Sequence, residues 1–348
     1  MDWSAQEALG RATGVVVPAY FSAAPPDDLV RRLLWMTLGD CHHYLPLEQV
    51  WVVVDGDERT ARLAGEVQEA LRGRLGASFH LVPLAENGGK FRAVREGARG
   101  LLAAHPDLRY IAVRDGDGDH AISDLPALLR AAEEIAAGRD DTNVLIAGAR
   151  ASRHHPMGWV RGELEAILDR VTIDALAYHL ARRGRALDLA YVAGANGAPD
   201  LSSGYKVYGR QAAEYLFGEA PPQYASLSKR DYWRYGPETV PVVEAVLAGA
   251  TLGEAARLTF NGQPTSSFGD FAVVALYGEL LAWVWTRLGI PPDVAACLYD
   301  NAACRALLGT TAPGAETLDA VRRHALERMA AHCGGAPLPP PRPRPSFL

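Results

Sequence analysis

Cysteine is scarce in this sequence, and its few copies are scattered. Cys41, Cys297, Cys304 and Cys333 form no CxxC pair, which excludes the usual zinc and dithiol-redox spacings. No signal peptide precedes them, so they read as free thiols in a reducing compartment, and the cytoplasm is the expected location. Long apolar runs are also missing. The most apolar stretch, 271–288, falls short of the ~20 residues a membrane span needs and carries Glu279, so a buried or dimer-forming helix is expected there and a homodimer is the partner it allows. Positive charge is not in excess: 35 Lys and Arg face 41 Asp and Glu, a net charge of -6. That leaves no electrostatic footprint for nucleic acid, and an anionic substrate must be met locally. Neither a GxxxxGK[ST] loop nor a GxGxxG turn occurs, which removes the Walker and dinucleotide folds. With 49% hydrophobic and 22% charged residues in 348, the chain reads as one large or two intimate globular domains.

What is present is alternation. After a frayed or helical lead-in to Thr13, Gly14-Val-Val-Val17 reads as a buried strand ending at Pro18. Leu29, Leu33, Leu34 and Leu38 then recur at helical spacing, with Asp27 or Asp28 placed to cap, and Val50-Trp-Val-Val-Val54 stops at Asp55-Gly-Asp57. An amphipathic stretch from Thr60 to Leu75, a strand from Phe79 to Val82, a helix after Lys90 and a strand from Tyr110 to Val113 repeat the pattern. Such alternation predicts a parallel sheet covered by helices, with ligand sites at the carboxyl ends of the strands. Further on, helices from Arg161 to Arg183 and from Phe271 to Leu288 are expected to bury Leu164, Ile167, Leu168 and Val171, then Val274, Leu281, Val284 and Leu288. Cys297 and Cys304 are expected in the core of a following helix, and the proline-rich tail from Pro337 to Pro345 is expected to be extended or disordered.

One stretch carries chemistry: Tyr110-Ile-Ala-Val-Arg-Asp115-Gly-Asp117-Gly-Asp119-His120. Carboxylates at every second position of an extended backbone share one face. Three like charges so close repel unless a cation lies between them, and hard oxygen donors suit Mg²⁺, Mn²⁺ or Ca²⁺. A solvated acidic turn is the alternative. An EF-hand is excluded, because it needs Gly where His120 stands and Glu where Pro126 stands. Upstream, Asn87-Gly-Gly-Lys90 opens a helical pattern, so its backbone N–H groups and the Lys90 charge could meet an anion; an ordinary loop before a helix reads equally well.

As an ordered set these features resemble the GT-A glycosyltransferases, in particular the family-2-like group with polyprenyl-phosphate mannose synthases and glucosyl-phosphoglycerate synthases. Val15-Val-Val-Pro-Ala-Tyr20 looks like the opening strand and turn, Val53-Val-Asp55-Gly-Asp57 like the nucleotide-contacting strand end, Asn87-Gly-Gly-Lys90 like the N-x-G-K element, and Asp115-Gly-Asp117 like the metal-binding DxD. Asp119, His120, Asp124, Leu125 and Pro126 keep the mannose-synthase spacing. Gly148-Ala-Arg150 is similar to the family's G-S-R strand end, and Asp200-Leu-Ser-Ser203-Gly204-Tyr205 to its acceptor-side motif; Glu238 and Gly249 precede a final strand expected at Ala255 to Phe260. The likeness covers residues 14–270.

The resemblance implies a Rossmann-like, mostly parallel α/β sheet flanked by helices with a C-terminal helical extension. It divides the chain into a nucleotide-sugar half (14–130), an acceptor half (131–270), C-terminal helices (271–332) and the tail (333–348). It implies transfer of a hexose from a GDP- or UDP-linked donor to a small soluble hydroxylated acceptor. Mn²⁺ or Mg²⁺ would be held by Asp115, Asp117 and Asp119, and the donor would be contacted by Pro18, Tyr20, Asp55, Asp57, Asn87, Lys90, Asp115, Arg150, Ser203, Gly204 and Gln263. Glu238, Asp200 and Asp231 are the candidates for a catalytic base, undecided among themselves. Two departures stand out: Phe21 replaces an Asn common in the family, and Gln263 stands near where relatives carry Arg or His, so charge neutralisation would fall on the metal, Lys90, Arg150 or Arg153. His154 and His155 read as exposed loop residues. The rival readings are a polyprenyl-phosphate glycosyltransferase, a nucleotidyltransferase, whose glycine- and Arg-rich opening loop is replaced here by Pro18-Ala-Tyr-Phe21, and a non-catalytic sugar-nucleotide-binding protein.

Overall fold

The computed structural model describes residues 3–192, 198–258, 272–334 and 339–340. The first half runs α1 (Trp3–Arg11), β1 (Thr13–Ala19), α2 (Asp27–Leu38), β2 (Val50–Val54), α3 (Glu58–Leu75), β3 (His80–Pro83), α4 (Lys90–Ala104) and β4 (Tyr110–Val113). Then follow α5 (Leu125–Arg139), β5 (Val144–Arg150), α6 (His154–Met157), α7 (Trp159–Ala181), β6 (Lys206–Gly209), α8 (Arg210–Ala213), α9 (Lys229–Tyr235), α10 (Thr239–Leu247) and β7 (Thr251–Arg257). Three helices close the chain: α11 (Val273–Leu288), α12 (Pro292–Ala303) and α13 (Ala312–His332). The seven strands form one sheet in the order β3-β2-β1-β4-β6-β5-β7. Only β6 runs antiparallel to its neighbours, β4 and β5. The protein is thus a mostly parallel α/β sheet flanked by helices, with a C-terminal helical extension.

Every residue of β1 is buried, as a central parallel strand covered on both faces requires. Its side chains alternate: Val15 and Val17 join Val30, Leu33 and Leu34 of α2 and Leu128 of α5, while Val16 joins Val53, Ile111 and the helices α4, α7 and α11 on the other face. Each such Val or Leu contributes about 1.5–3 kcal/mol of burial. Strand order reverses at β1, which pairs with β2 on one side and β4 on the other. Such a switch point opens a crevice at the strands' carboxyl ends.

Several expectations need correcting. Pro26, not Asp27 or Asp28, takes the N-cap position of α2; Asp27 instead binds Arg59 and Arg62, each at 2.7 Å. The final strand begins earlier than expected, because Gly249 turns the chain with φ +89° and Thr251 pairs at once with Val144; Phe260 lies outside the described residues. Val274 is only half-buried, since that end of α11 faces a cleft, and Cys297 and Cys304 are partly exposed. Of the Pro337 to Pro345 tail, Pro339 and Pro340 accept hydrogen bonds from Arg322 of α13, each 3.1 Å, and the rest lies outside the described residues.

Candidate active site

The crevice at the switch point is a cleft of about 750 Å³. Its first wall comes from strand ends: Pro18 in the last residues of β1 and Tyr20 just after it, Asp55 and Asp57 after β2, Asn87 to Gly89 before α4 with Lys90 opening it, and Asp115 to Asp117 after β4. Backbone geometry ties these loops together. Both Asp55 oxygens accept backbone N–H groups, from Gly88 and Gly89, each at 2.8 Å. Gly89 has φ +100°, and a Cβ there would lie 2.5 Å from the Trp233 carbonyl, so both conformation and space require glycine. Asp57 caps α3 by accepting from Thr60 N at 2.6 Å. Asp55 and Asp57 therefore shape the first wall as well as line it.

Lys90 is the hub of the cleft. Its ammonium lies 2.8 Å from Asp115 and 2.7 Å from Glu238, a residue 148 positions away at the N-terminus of α10. Burial disfavours that charge, but the two carboxylates outweigh it and raise the Lys90 pKa. Burial likewise pushes the Asp115 carboxyl up, and Lys90 overcomes this to hold it below the ordinary range. For Asp117 the balance goes the other way: burial, then Asp119 and Asp115, outweigh Lys90 and push its carboxyl well above the usual range. Gly204 packs beneath this cluster, where a Cβ would stand 2.8 Å from Asp115 Oδ2.

Oxygens of Asp115 and Asp119 and a ring nitrogen of His120 lie within 4.8 Å of one another. His120 Nδ1 accepts the backbone N–H of Asp115 at 2.9 Å. The ring is therefore neutral with its proton on Nε2, which faces Asp119 at 3.4 Å and has no lone pair for a metal. Burial pulling the His120 pKa down to about 4 agrees with that state. Stacked on Tyr205 at 5.2 Å, His120 orients the loop; of the three carboxylates expected to hold a cation, Asp115 and Asp119 belong to this group, and Asp117 is close enough to both for their charges to raise its pKa. Arg114, fully buried, pins the loop from behind by donating to the carbonyls of Thr37 (3.0 Å) and His120.

The remaining site expectations divide. Asp200 does not line the cleft: it is 3% exposed, and its carboxylate receives Arg150 N, Nε and a terminal nitrogen at 3.0, 2.7 and 2.7 Å. Burial opposes its ionisation, but Arg150 holds it well below the usual carboxylate range, which is wrong for a base. By the same pairing Arg150, also bound to Glu165 at 2.7 Å, is closed to a donor phosphate. Arg153 is bound to Asp169 at 2.7 Å. Asp231 belongs to the first turn of α9, where Ser228 donates to it at 2.6 Å, and it too is off the cleft. Ser203 is buried behind the acidic loop, not on the wall, and Gln263 lies outside the described residues. His154 pairs with Glu163 at 2.8 Å.

A second wall faces the first. Arg161, Glu165 and Leu168 of α7, Arg230 and Arg234 of α9, and Leu276, Tyr277 and Leu280 of α11 complete the cleft. Arg257, at the end of β7, is a further cation the sequence reading passed over while looking beyond position 260. It donates to the Asp119 carbonyl and to Ser203 Oγ, both at 3.3 Å, and stands in register opposite Arg150, a pairing that no local sequence pattern shows.

No protein-family model and no curated protein matches the chain. Among solved structures it is similar to a mannosyltransferase, PcManGT from Pyrobaculum calidifontis, in complex with GDP-mannose and Mn²⁺. That likeness is 14% identical, spans 92% of this chain and 86% of that one, and has a TM-score of 0.47. It is also similar to GalNAc-T7 with UDP, GalNAc and Mn²⁺, at 12% identity over 94% of this chain and 59% of that one, with a TM-score of 0.41.

Proposed function

We propose that the protein is a metal-dependent glycosyltransferase that moves a hexose from a GDP- or UDP-linked sugar to a small hydroxylated acceptor. One observation carries the reading: three strand-end loops and the carboxylates of Asp115 and Asp117 converge on one cleft, with Glu238 across from them at the Lys90 bridge. Asp55, Asp57 and Asn87 face the nucleoside, Pro18 and Tyr20 flank it, and Lys90 meets the diphosphate. Asp115, Asp117 and Asp119 hold Mn²⁺ or Mg²⁺. A divalent cation there stabilises the charge that grows on the departing diphosphate. Glu238 is the base that the geometry favours over Asp200 and Asp231, because it alone of the three reaches the cleft. In a direct displacement Glu238 takes the acceptor hydroxyl proton, the oxygen bonds to the anomeric carbon, and the bond to the diphosphate breaks, releasing the nucleoside diphosphate. Lys90, bound to Glu238 and Asp115 at once, ties the two walls of the cleft together. Among the described residues no helix is long and apolar enough to cross a membrane.

The test is incubation with a panel of nucleotide sugars and Mn²⁺ without acceptor, scored for nucleoside diphosphate release. Slow hydrolysis of one donor, abolished in Glu238→Gln, is expected. Release of pyrophosphate from a nucleoside triphosphate and sugar phosphate would favour a nucleotidyltransferase, and donor binding with no turnover a sensor.

A further inference from the structure

The ammonium of Lys90 straddles the carboxylate edge of Asp115. Its Nζ lies 2.8 Å from one oxygen of that group and 2.9 Å from the other, and the same atom lies 2.7 Å from Glu238 Oε1. Asp115 has little room to turn away, since a Cβ at Gly204 would already stand 2.8 Å from its Oδ2. The backbone under Lys90 is fixed, because Gly88 and Gly89 donate their N–H groups to Asp55. Movement is left to the Lys90 side chain, a compact charge on a flexible four-carbon stem, which is 32% exposed and lines the cleft. A divalent cation taken up by Asp115 must therefore share its ligand with this ammonium or expel it, and like charges a few Å apart repel strongly where water is partly excluded.

We propose that Lys90 holds the cation's place on Asp115 and yields it only when a nucleoside diphosphate offers the ammonium a new partner. The proposal rests on the glycosyltransferase reading and adds an order to it: Lys90 admits the metal together with the nucleotide and opposes the metal alone. The same swing of the side chain uncovers Glu238, so metal ligand and base become available in one movement, with the donor in place. Lys90 is in this respect a positioning residue, acting through Asp115 and Glu238.

The experiment follows free Mn²⁺ by electron paramagnetic resonance during titration of the full chain, with and without GDP or UDP, for wild type, the neutral variants Lys90→Met and Lys90→Gln, and the charge-preserving Lys90→Arg. Without nucleotide, the neutral variants are expected to bind Mn²⁺ about ten-fold or more tightly than wild type, and Lys90→Arg to stay within about three-fold of it. The factor by which nucleotide tightens Mn²⁺ is expected to shrink correspondingly in the neutral variants, because the ammonium supplies part of that coupling. Circular dichroism establishes that each variant is folded, and the two neutral side chains differ in shape and hydrogen bonding, so the comparison does not hang on one of them. Neutral variants that bind Mn²⁺ alone no more tightly than wild type, or a Lys90→Arg that binds it as tightly as they do, overturn the proposal, while nucleotide-dependent Mn²⁺ binding by the wild type leaves the transferase reading standing. If the wild type binds Mn²⁺ with neither GDP nor UDP, both fall together.

Discussion

Lys206 opens β6 fully buried, at 1% exposure, in register with Val113 and Ala147. Its ammonium donates to the Ser203 carbonyl, and burial, partly opposed by Glu238, pulls its pKa down from 10.5 to about 8. Because the folded value is the lower one, the unfolded chain binds more protons between about pH 8 and 10.5, and stability rises with pH across that window. Below it the full cost, on the order of 3 kcal/mol at ~1.4 per unit, is present. Lys206→Met is therefore expected to stabilise the protein by ~1–3 kcal/mol at pH 7 in urea unfolding, with the gain shrinking as pH rises from 8 to 10.5. A variant less stable than wild type at pH 7 would mean that the ammonium's contacts outweigh its desolvation. Lys206 reads as an ordinary strand lysine in sequence, and its burial is set by strands far along the chain. Asp55, Asp115 and Asp117 were legible because each follows a β-branched run, and strand ends point into the crevice. The choice among Glu238, Asp200 and Asp231 was not, since it depends on Arg150, Ser228 and Lys90, partners that only folding brings near.

At the scale of elements, the Arg150–Asp200 pair joins the end of β5 to the loop before β6, and Glu165 extends the link to α7. It fastens the second wall to the sheet. Asp200→Ala leaves Arg150 buried without one of its two carboxylates, and a loss of about 3–5 kcal/mol is expected in denaturant unfolding. Asp231→Ala, which removes a partner at the rim of α9, is expected to cost less than about 1 kcal/mol. Equal effects would contradict the division made here between a buried anchor and a surface turn. The strands and flanking helices of the first half were legible from their period, valine runs punctuated by Pro18, Asp55 and Asp115. The part of the second wall that α7 supplies was not: Arg161 lies on a helix whose charged face ordinarily meets water, and no local pattern distinguishes a face turned toward a cleft.

Across the whole molecule, the sheet presents one edge of loops and the helices α7, α9 and α11 close over it, so the two walls of the cleft come from separate halves of the chain and meet at Lys90 and Glu238. The account's central claim is that the acidic loop holds a cation which binds a nucleoside diphosphate. The direct measurement is the dissociation constant of GDP and UDP with and without Mn²⁺, for wild type and Asp117→Ala, beside the thermal midpoint of each metal-free protein. Mn²⁺ is predicted to tighten one nucleotide by about ten-fold or more in wild type, ~1.4 kcal/mol, and to have no such effect in Asp117→Ala. The metal-free variant should melt at the same temperature or higher, because carboxylate repulsion is relieved. Tightening by Mn²⁺ that survives the substitution, or is absent from the wild type, would contradict the account.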